Sequence, residues 1–129
     1  MTNNIIYSKE VMEHFMHPKN MGEIKHPDGI GKIGNPICGD IMWIYINVDK
    51  NERIKDIKFK TFGCAAAIAT ASMLTVLAKG KKISEAEKLT MKDIAKSLKG
   101  LPPLKMHCSD MAINALRLAI KDYEDKNGK

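Results

Sequence analysis

The stretch CAAAIATASMLTVLAKG, residues 64–80, constrains the fold more than any other part of the chain. It is rich in alanine, the strongest helix former, and Gly80 stands where a helix C-terminus readily takes a positive φ. It is also apolar almost all round, and a helix without a polar face has to be buried on every side. No window approaches the roughly eighteen consecutive apolar residues of a membrane span, so the rest of this chain must supply the cover. The segment is therefore predicted as the central helix of a soluble core.

The flanking patterns supply that cover. DIMWIYINVD alternates, with Met42, Ile44, Ile46 and Val48 on one face and Ile41, Trp43, Tyr45 and Asn47 on the other, the period of a strand. Asp49 to Glu52 reads as a turn. RIKDIKFKTF then interleaves Ile57 and Phe59 with Lys58 and Lys60, a second strand with a basic outer face, predicted to pair antiparallel with the first. Trp43 and Tyr45 read as residues packed under a neighbouring helix. Upstream, HPKNMGEIKHPDGIGKIGNPICGD is crowded with glycine and proline, predicting a long ordered loop with one short strand near Gly31 to Gly34.

Helix signals lie at both ends. Ser8 is placed as an N-cap before Val11 and Phe15, and that helix should end before Pro18. The pair His14 and His17 reads as ordinary, because His17 precedes the proline. Ser84 with Glu87, and Thr90 with Asp93 and the stripe Met91, Ile94, Leu98, predict two short helices. SDMAINALRLAIKDYEDK gathers Ala112, Leu116, Ala119, Ile120 and Tyr123 on one face, predicting a docked terminal helix. Strands early and helices late make an α+β fold: a small antiparallel sheet of about three strands covered by helices. Residues 1–129 form one predicted domain, with 1–6 and 126–129 flexible.

Composition excludes some functions. The net charge of +6 comes from lysines spread along the whole sequence, and one tryptophan and three tyrosines offer little for base stacking, so no nucleic-acid partner is expected. No membrane partner is expected either. MTNNIIYSKE lacks the layout of a secretory signal, and the predicted compartment is the cytoplasm.

Three cysteines, at positions 38, 64 and 108, cannot all pair within one chain. In a reducing compartment widely spaced cysteines are inert buried thiols, metal ligands or nucleophiles, and spacing alone leaves these open. Each sits at a junction between predicted elements. Cys64 and Cys108 stand at helix starts, where the positive end of the dipole favours a thiolate. Three thiolates leave one place on a tetrahedral zinc or an iron-sulfur cluster, for which His107 and Asp40 are the candidates. A carboxylate is a hard ligand, so a site completed by Asp40 would hold a soft cargo less firmly. A hydrolase built on Cys108 and His107 is disfavoured, since adjacent residues seldom orient for mutual proton transfer.

The motifs YSKEVMEHFMHPKNMG, GNPICGD, KFKTFGCAAAIA and LPPLKMHCS, in that order, closely resemble the iron-sulfur cluster assembly scaffold family of IscU and the N-terminal part of NifU. The resemblance runs from about Tyr7 to Tyr123. It implies a scaffold, with no conventional turnover of its own, on which a [2Fe-2S] cluster is built from Fe2+, electrons and sulfur and passed to recipient apoproteins. The sulfur donor would be a cysteine desulfurase. By motif, Cys38, Cys64 and Cys108 match the family's three cysteines, Asp40 its cluster-labilising aspartate and His107 the histidine beside the third cysteine. Cys108 inherits the role of persulfide acceptor. Zn2+ would occupy the same pocket, and the rival function is a zinc-binding sulfur acceptor that stimulates a desulfurase without building a cluster. Leu101, Pro102, Pro103, Leu104 and Lys105 resemble the segment that an Hsp70-type chaperone grasps, with Leu104 in place of valine. An electron donor and a homodimeric loaded form are further implied partners. The chain departs from the pattern at Ala65 and Ala66, where relatives often carry glycine and serine, and at Asp110, where many are apolar. The 43 residues between Cys64 and Cys108 leave no room for the insertion of the zinc-dependent SufU branch, which commonly has arginine where His107 stands.

Overall fold

The computed structural model describes residues 7–35, 40–101 and 106–128. Three strands, β1 (Gly29–Asn35), β2 (Asp40–Val48) and β3 (Ile54–Phe62), form an antiparallel sheet in the order β1-β2-β3. Around it lie α1 (Lys9–Met16), α2 (Ala65–Ala78), α3 (Ile83–Ala86), α4 (Met91–Ser97) and α5 (Met106–Lys126). The α+β expectation, with its three strands and its docked C-terminal helix, is what forms.

Helix α2 is the centre. Its residues Ala66, Ala67, Ala69, Ala71 and Leu74 are fully buried. They pack in one core with Met42, Ile44 and Ile46 of β2 and Ile54, Ile57 and Phe59 of β3. The few polar groups of α2 are used rather than stranded: Ser72 Oγ accepts the Lys19 backbone N–H at 2.8 Å and meets His14 Nδ1 at 2.7 Å. Thr75 Oγ1 accepts from Asn20 Nδ2 at 3.0 Å. These bonds fasten α1 and the chain after it to α2. The helix stops as its last residues predict, with Gly80 at φ +88° donating its N–H to Ile54 O at 2.8 Å.

Capping follows the sequence signals in two of three cases. Ser8 accepts from the Val11 N–H at 3.0 Å and donates to Leu98 O, joining the start of α1 to the end of α4. Thr90 and Asp93 form the reciprocal capping pair. The signal at Ser84 and Glu87 misplaces α3, which starts earlier, with the Glu85 carboxylate accepting from the Lys82 backbone N–H at 3.2 Å.

β1 is the larger departure. The short strand predicted near Gly31 to Gly34 forms, but it runs to seven residues, Gly29–Asn35, and takes in glycines that suggested a loop. A Cβ added at Gly29 would stand 2.2 Å from the Ala119 carbonyl oxygen, and one at Gly31 would stand 2.0 Å from that of Ala115. The missing side chains let the backbone of α5 lie directly against the strand. Asp122 of α5 accepts the Ile30 N–H at 2.9 Å, closing that bond on the sheet edge.

The opposite face of the sheet is basic, as the lysine alternation predicts. Trp43 lies there, its ring meeting Phe62 edge to face at 5.8 Å and flanked by the ammonium groups of Lys32 and Lys60 at 5.4 and 4.9 Å. It packs against cross-strand neighbours rather than under a helix. Among the described residues no helix is long and apolar enough to cross a membrane.

Candidate metal centre

Three elements begin at one rim of the molecule, and each contributes one candidate ligand. Asp40 opens β2, Cys64 is the N-cap of α2 directly after β3, and Cys108 stands in the first turn of α5. One ligand atom from each of the three lies within 4.8 Å of the other two. The sulfurs of Cys64 and Cys108 are 3.7 Å apart.

That spacing is chemically specific. A tetrahedral ion with metal–sulfur bonds of about 2.3 Å places two of its sulfurs about 3.8 Å apart, the edge of the tetrahedron. The two cysteines are therefore set to share a single ion, with the Asp40 carboxylate close enough to join them. Two thiols and one carboxylate suit zinc or iron. The positive ends of α2 and α5 converge on the sulfurs, which favours an anionic ligand set. The Cys64 side chain takes no capping bond from its own helix, so it is not tied to α2 by that contact.

Burial separates the two thiols. Cys108 is 0% exposed, whereas Cys64 is partly open to solvent. Next to Cys108, the Ser109 hydroxyl is buried, with no hydrogen-bond partner among the described residues.

Sequence reasoning gave no role to Gly63, yet a Cβ there would stand 3.2 Å from Asp40 Cγ, 3.3 Å from its Oδ1 and 3.0 Å from Ala67 Cβ. The absent side chain makes the space in which the Asp40 carboxylate sits beside Cys64. The available signal was a glycine immediately before a cysteine at a strand-to-helix junction. Of the predicted ligands, the structure brings together Asp40, Cys64 and Cys108. Cys38 lies outside the described residues, as do Pro102, Pro103, Leu104 and Lys105. His107 has its backbone in the first turn of α5, and Leu101, the first residue of the predicted chaperone segment, packs partly buried against the core. The histidine pair is ordinary at His14, which anchors α1 to Ser72.

A three-stranded antiparallel meander with a carboxylate at the start of β2 and thiols at the starts of α2 and α5 defines a small domain able to hold a metal or cluster. The family model "NifU-like N terminal domain" matches residues 6–129, and the chain belongs to that family. Among its relatives, the iron-sulfur cluster assembly scaffold protein IscU 1 of Archaeoglobus fulgidus is 60% identical over 124 residues, covering 96% of this chain and 80% of that protein. The scaffold protein IscU of Aquifex aeolicus is 48% identical over 124 residues, covering 95% and 79%. The iron-sulfur cluster assembly enzyme IscU of Drosophila melanogaster is 48% identical over 127 residues, covering 96% and 82%. The solved structure of a NifU-like protein (N-terminal) from Brucella abortus superposes with a TM-score of 0.73 at 18% identity, over 92% of this chain and 94% of that one. At that identity the likeness concerns the fold alone.

Proposed function

We propose that this chain is a scaffold for iron-sulfur cluster assembly, one domain on which a [2Fe-2S] cluster is built as cargo and from which it is handed to apoproteins. The observation that carries the reading is the 3.7 Å pair of Cys64 and Cys108 sulfurs with Asp40 beside them. It fits the geometry two cysteines adopt on one tetrahedral iron. The relatives named as IscU scaffolds support it over nearly the whole chain. In this reading Cys38 and His107 complete the ligand set, Asp40 is the weak ligand that allows release, and Cys108 is the persulfide acceptor for sulfur that a cysteine desulfurase supplies. Leu101 to Lys105 form the handle for an Hsp70-type chaperone. An electron donor supplies reducing equivalents, the loaded form can be a dimer, and the work is done in the cytoplasm. The chain holds and transfers; it does not turn over a substrate of its own.

Anaerobic reconstitution with Fe2+, cysteine and a desulfurase should give the sulfur-to-iron absorption of a [2Fe-2S] cluster and convert an apo-ferredoxin to its holo form. Neither result would appear if the chain were not a scaffold. In the Asp40→Ala variant the cluster should form and its transfer slow by about tenfold, an order set by the loss of one ligand's influence on the site. Transfer at the wild-type rate would remove Asp40 from the release step.

The single-ion geometry equally favours a second reading, a zinc-binding sulfur acceptor that stimulates a desulfurase. Reconstitution separates the two, because the zinc protein would stimulate the desulfurase and build no cluster.

A further inference from the structure

The site holds two thiols that differ in access. Cys64 is partly exposed, and its predecessors Phe62, at 64% exposure, and Gly63 are both open to solvent, so exposed residues lead to its sulfur. Cys108 is 0% exposed, enclosed with Ser109, Met111 and Ala112, which are themselves buried. A sulfur donor of any size arriving from outside meets Cys64 before Cys108. Yet the two sulfurs lie only 3.7 Å apart, so a sulfur atom carried on one can be reached by the other after a small displacement.

We propose that Cys64 is the entry thiol for sulfane sulfur and relays it to Cys108 by direct thiol–persulfide exchange. The inference rests on the scaffold reading, since it needs sulfur to arrive as a persulfide. In the first step the outer sulfur of a donor persulfide is taken by the Cys64 thiolate, and the donor leaves as a thiolate. In the second, the Cys108 thiolate attacks the outer sulfur of the Cys64 persulfide; a new S–S bond forms on Cys108 as the Cys64 S–S bond breaks. Cys64 leaves as a thiolate and regains the proton that Cys108 gave up. One sulfane sulfur and two cysteine sulfurs stand on each side, so the transfer needs neither oxidant nor reductant. Such exchange is governed by the access of the attacked sulfur and by the approach of the attacking thiolate. The structure divides those requirements between an open residue and a shielded one.

The division also gives a reason for the shielding. A persulfide on an exposed cysteine is open to attack by any cellular thiol, whereas one on Cys108 is shielded from solvent and lies beside Cys64.

The test uses the full chain, with metal removed by chelation, and glutathione persulfide as the donor. Persulfides are trapped by alkylation at successive times and assigned to each cysteine by mass spectrometry, with circular dichroism confirming that each variant is folded. In the wild type the label should pass through Cys64 and accumulate on Cys108. In Cys108→Ser it should remain on Cys64. In Cys64→Ser the charging of Cys108 should slow by about tenfold or more, the size of effect expected when an exchange loses its accessible partner. Charging of Cys108 in Cys64→Ser at the wild-type rate would overturn the relay while leaving the scaffold reading intact. So would a Cys64–Cys108 disulfide with release of sulfide in place of a Cys108 persulfide. A wild-type chain that took persulfide on neither cysteine would instead defeat the sulfur-accepting part of the scaffold reading, and the relay with it.

Discussion

At the scale of single residues, the most consequential position beside the ligands is one that has no side chain. Gly63 leaves the volume that the Asp40 carboxylate fills beside Cys64. Replacing it with alanine forces either the carboxylate or the start of α2 to move, and metal sites weaken by about ten- to a hundredfold when the groups orienting their ligands are disturbed. Gly63→Ala should therefore bind zinc about tenfold more weakly, measured by competition with a chromophoric chelator. An unchanged affinity would show that Asp40 takes no part in holding zinc. The ligands themselves were legible in the sequence as residue types at junctions. Their relative burial was not, because whether a thiol at a helix start faces solvent or core depends on what the sheet places over it.

At the scale of elements, two contacts decide how the frame is held. The first is β1 against α5. The sequence placed only a short strand near Gly31 to Gly34, inside a loop, because glycine is poor in strands, and composition carries no mark of the helix backbone that needs the vacancy. Gly31→Ala should lower stability to urea by about 3 kcal/mol, the upper range for overpacking against unyielding backbone. Gly34→Ala, whose added Cβ would meet nothing closer than 3.7 Å among the described residues, should be tolerated. The second contact is α1 on α2 through His14 and Ser72. Burial, and then the charge of Lys19, lower the His14 pKa from its usual value, while Glu13 opposes the shift. The folded state thus binds the proton less readily than the unfolded chain. The contribution of this contact is complete above about pH 6.5 and is lost as pH falls through the lowered value. Between about pH 7.5 and 5.5 the urea midpoint of the wild type should fall further than that of His14→Gln. Equal decreases would mean that His14 is not the titrating group. Helix α5 was readable from periodicity because it buries one long face, and α2 from its alanine-rich, wholly apolar run closed by Gly80. The four-residue α3 was placed wrongly because one turn has no period, and its cap is set by Glu85 reaching back to Lys82.

At the scale of the whole molecule, the site joins segments that are far apart in the chain, so metal binding and folding share one free energy. A ligand present at about a hundred times its dissociation constant adds about 2.7 kcal/mol to the folded state if the unfolded chain does not bind it. Zinc should raise the urea midpoint of the wild type accordingly, and Cys64→Ser and Cys108→Ser should each lose most of that gain. A full gain in both variants would place the zinc elsewhere. The overall class was legible because a central apolar helix, two alternating strands and a terminal amphipathic helix leave few ways to build one core. The convergence of Asp40, Cys64 and Cys108 was legible through the family motifs but not from spacing, since it depends on chain reversals that bring three distant segments to the same rim.

That arrangement also sets an order on the making of the protein. Asp40 and Cys64 leave the ribosome well before Cys108, which belongs to α5, the last helix described. α5 in turn reaches its place only by lying along Gly29 and Gly31 of β1. A nascent chain therefore presents single thiols but never the paired ones. Iron encountered during synthesis finds no finished site, and loading waits until translation has delivered the final helix to the first strand.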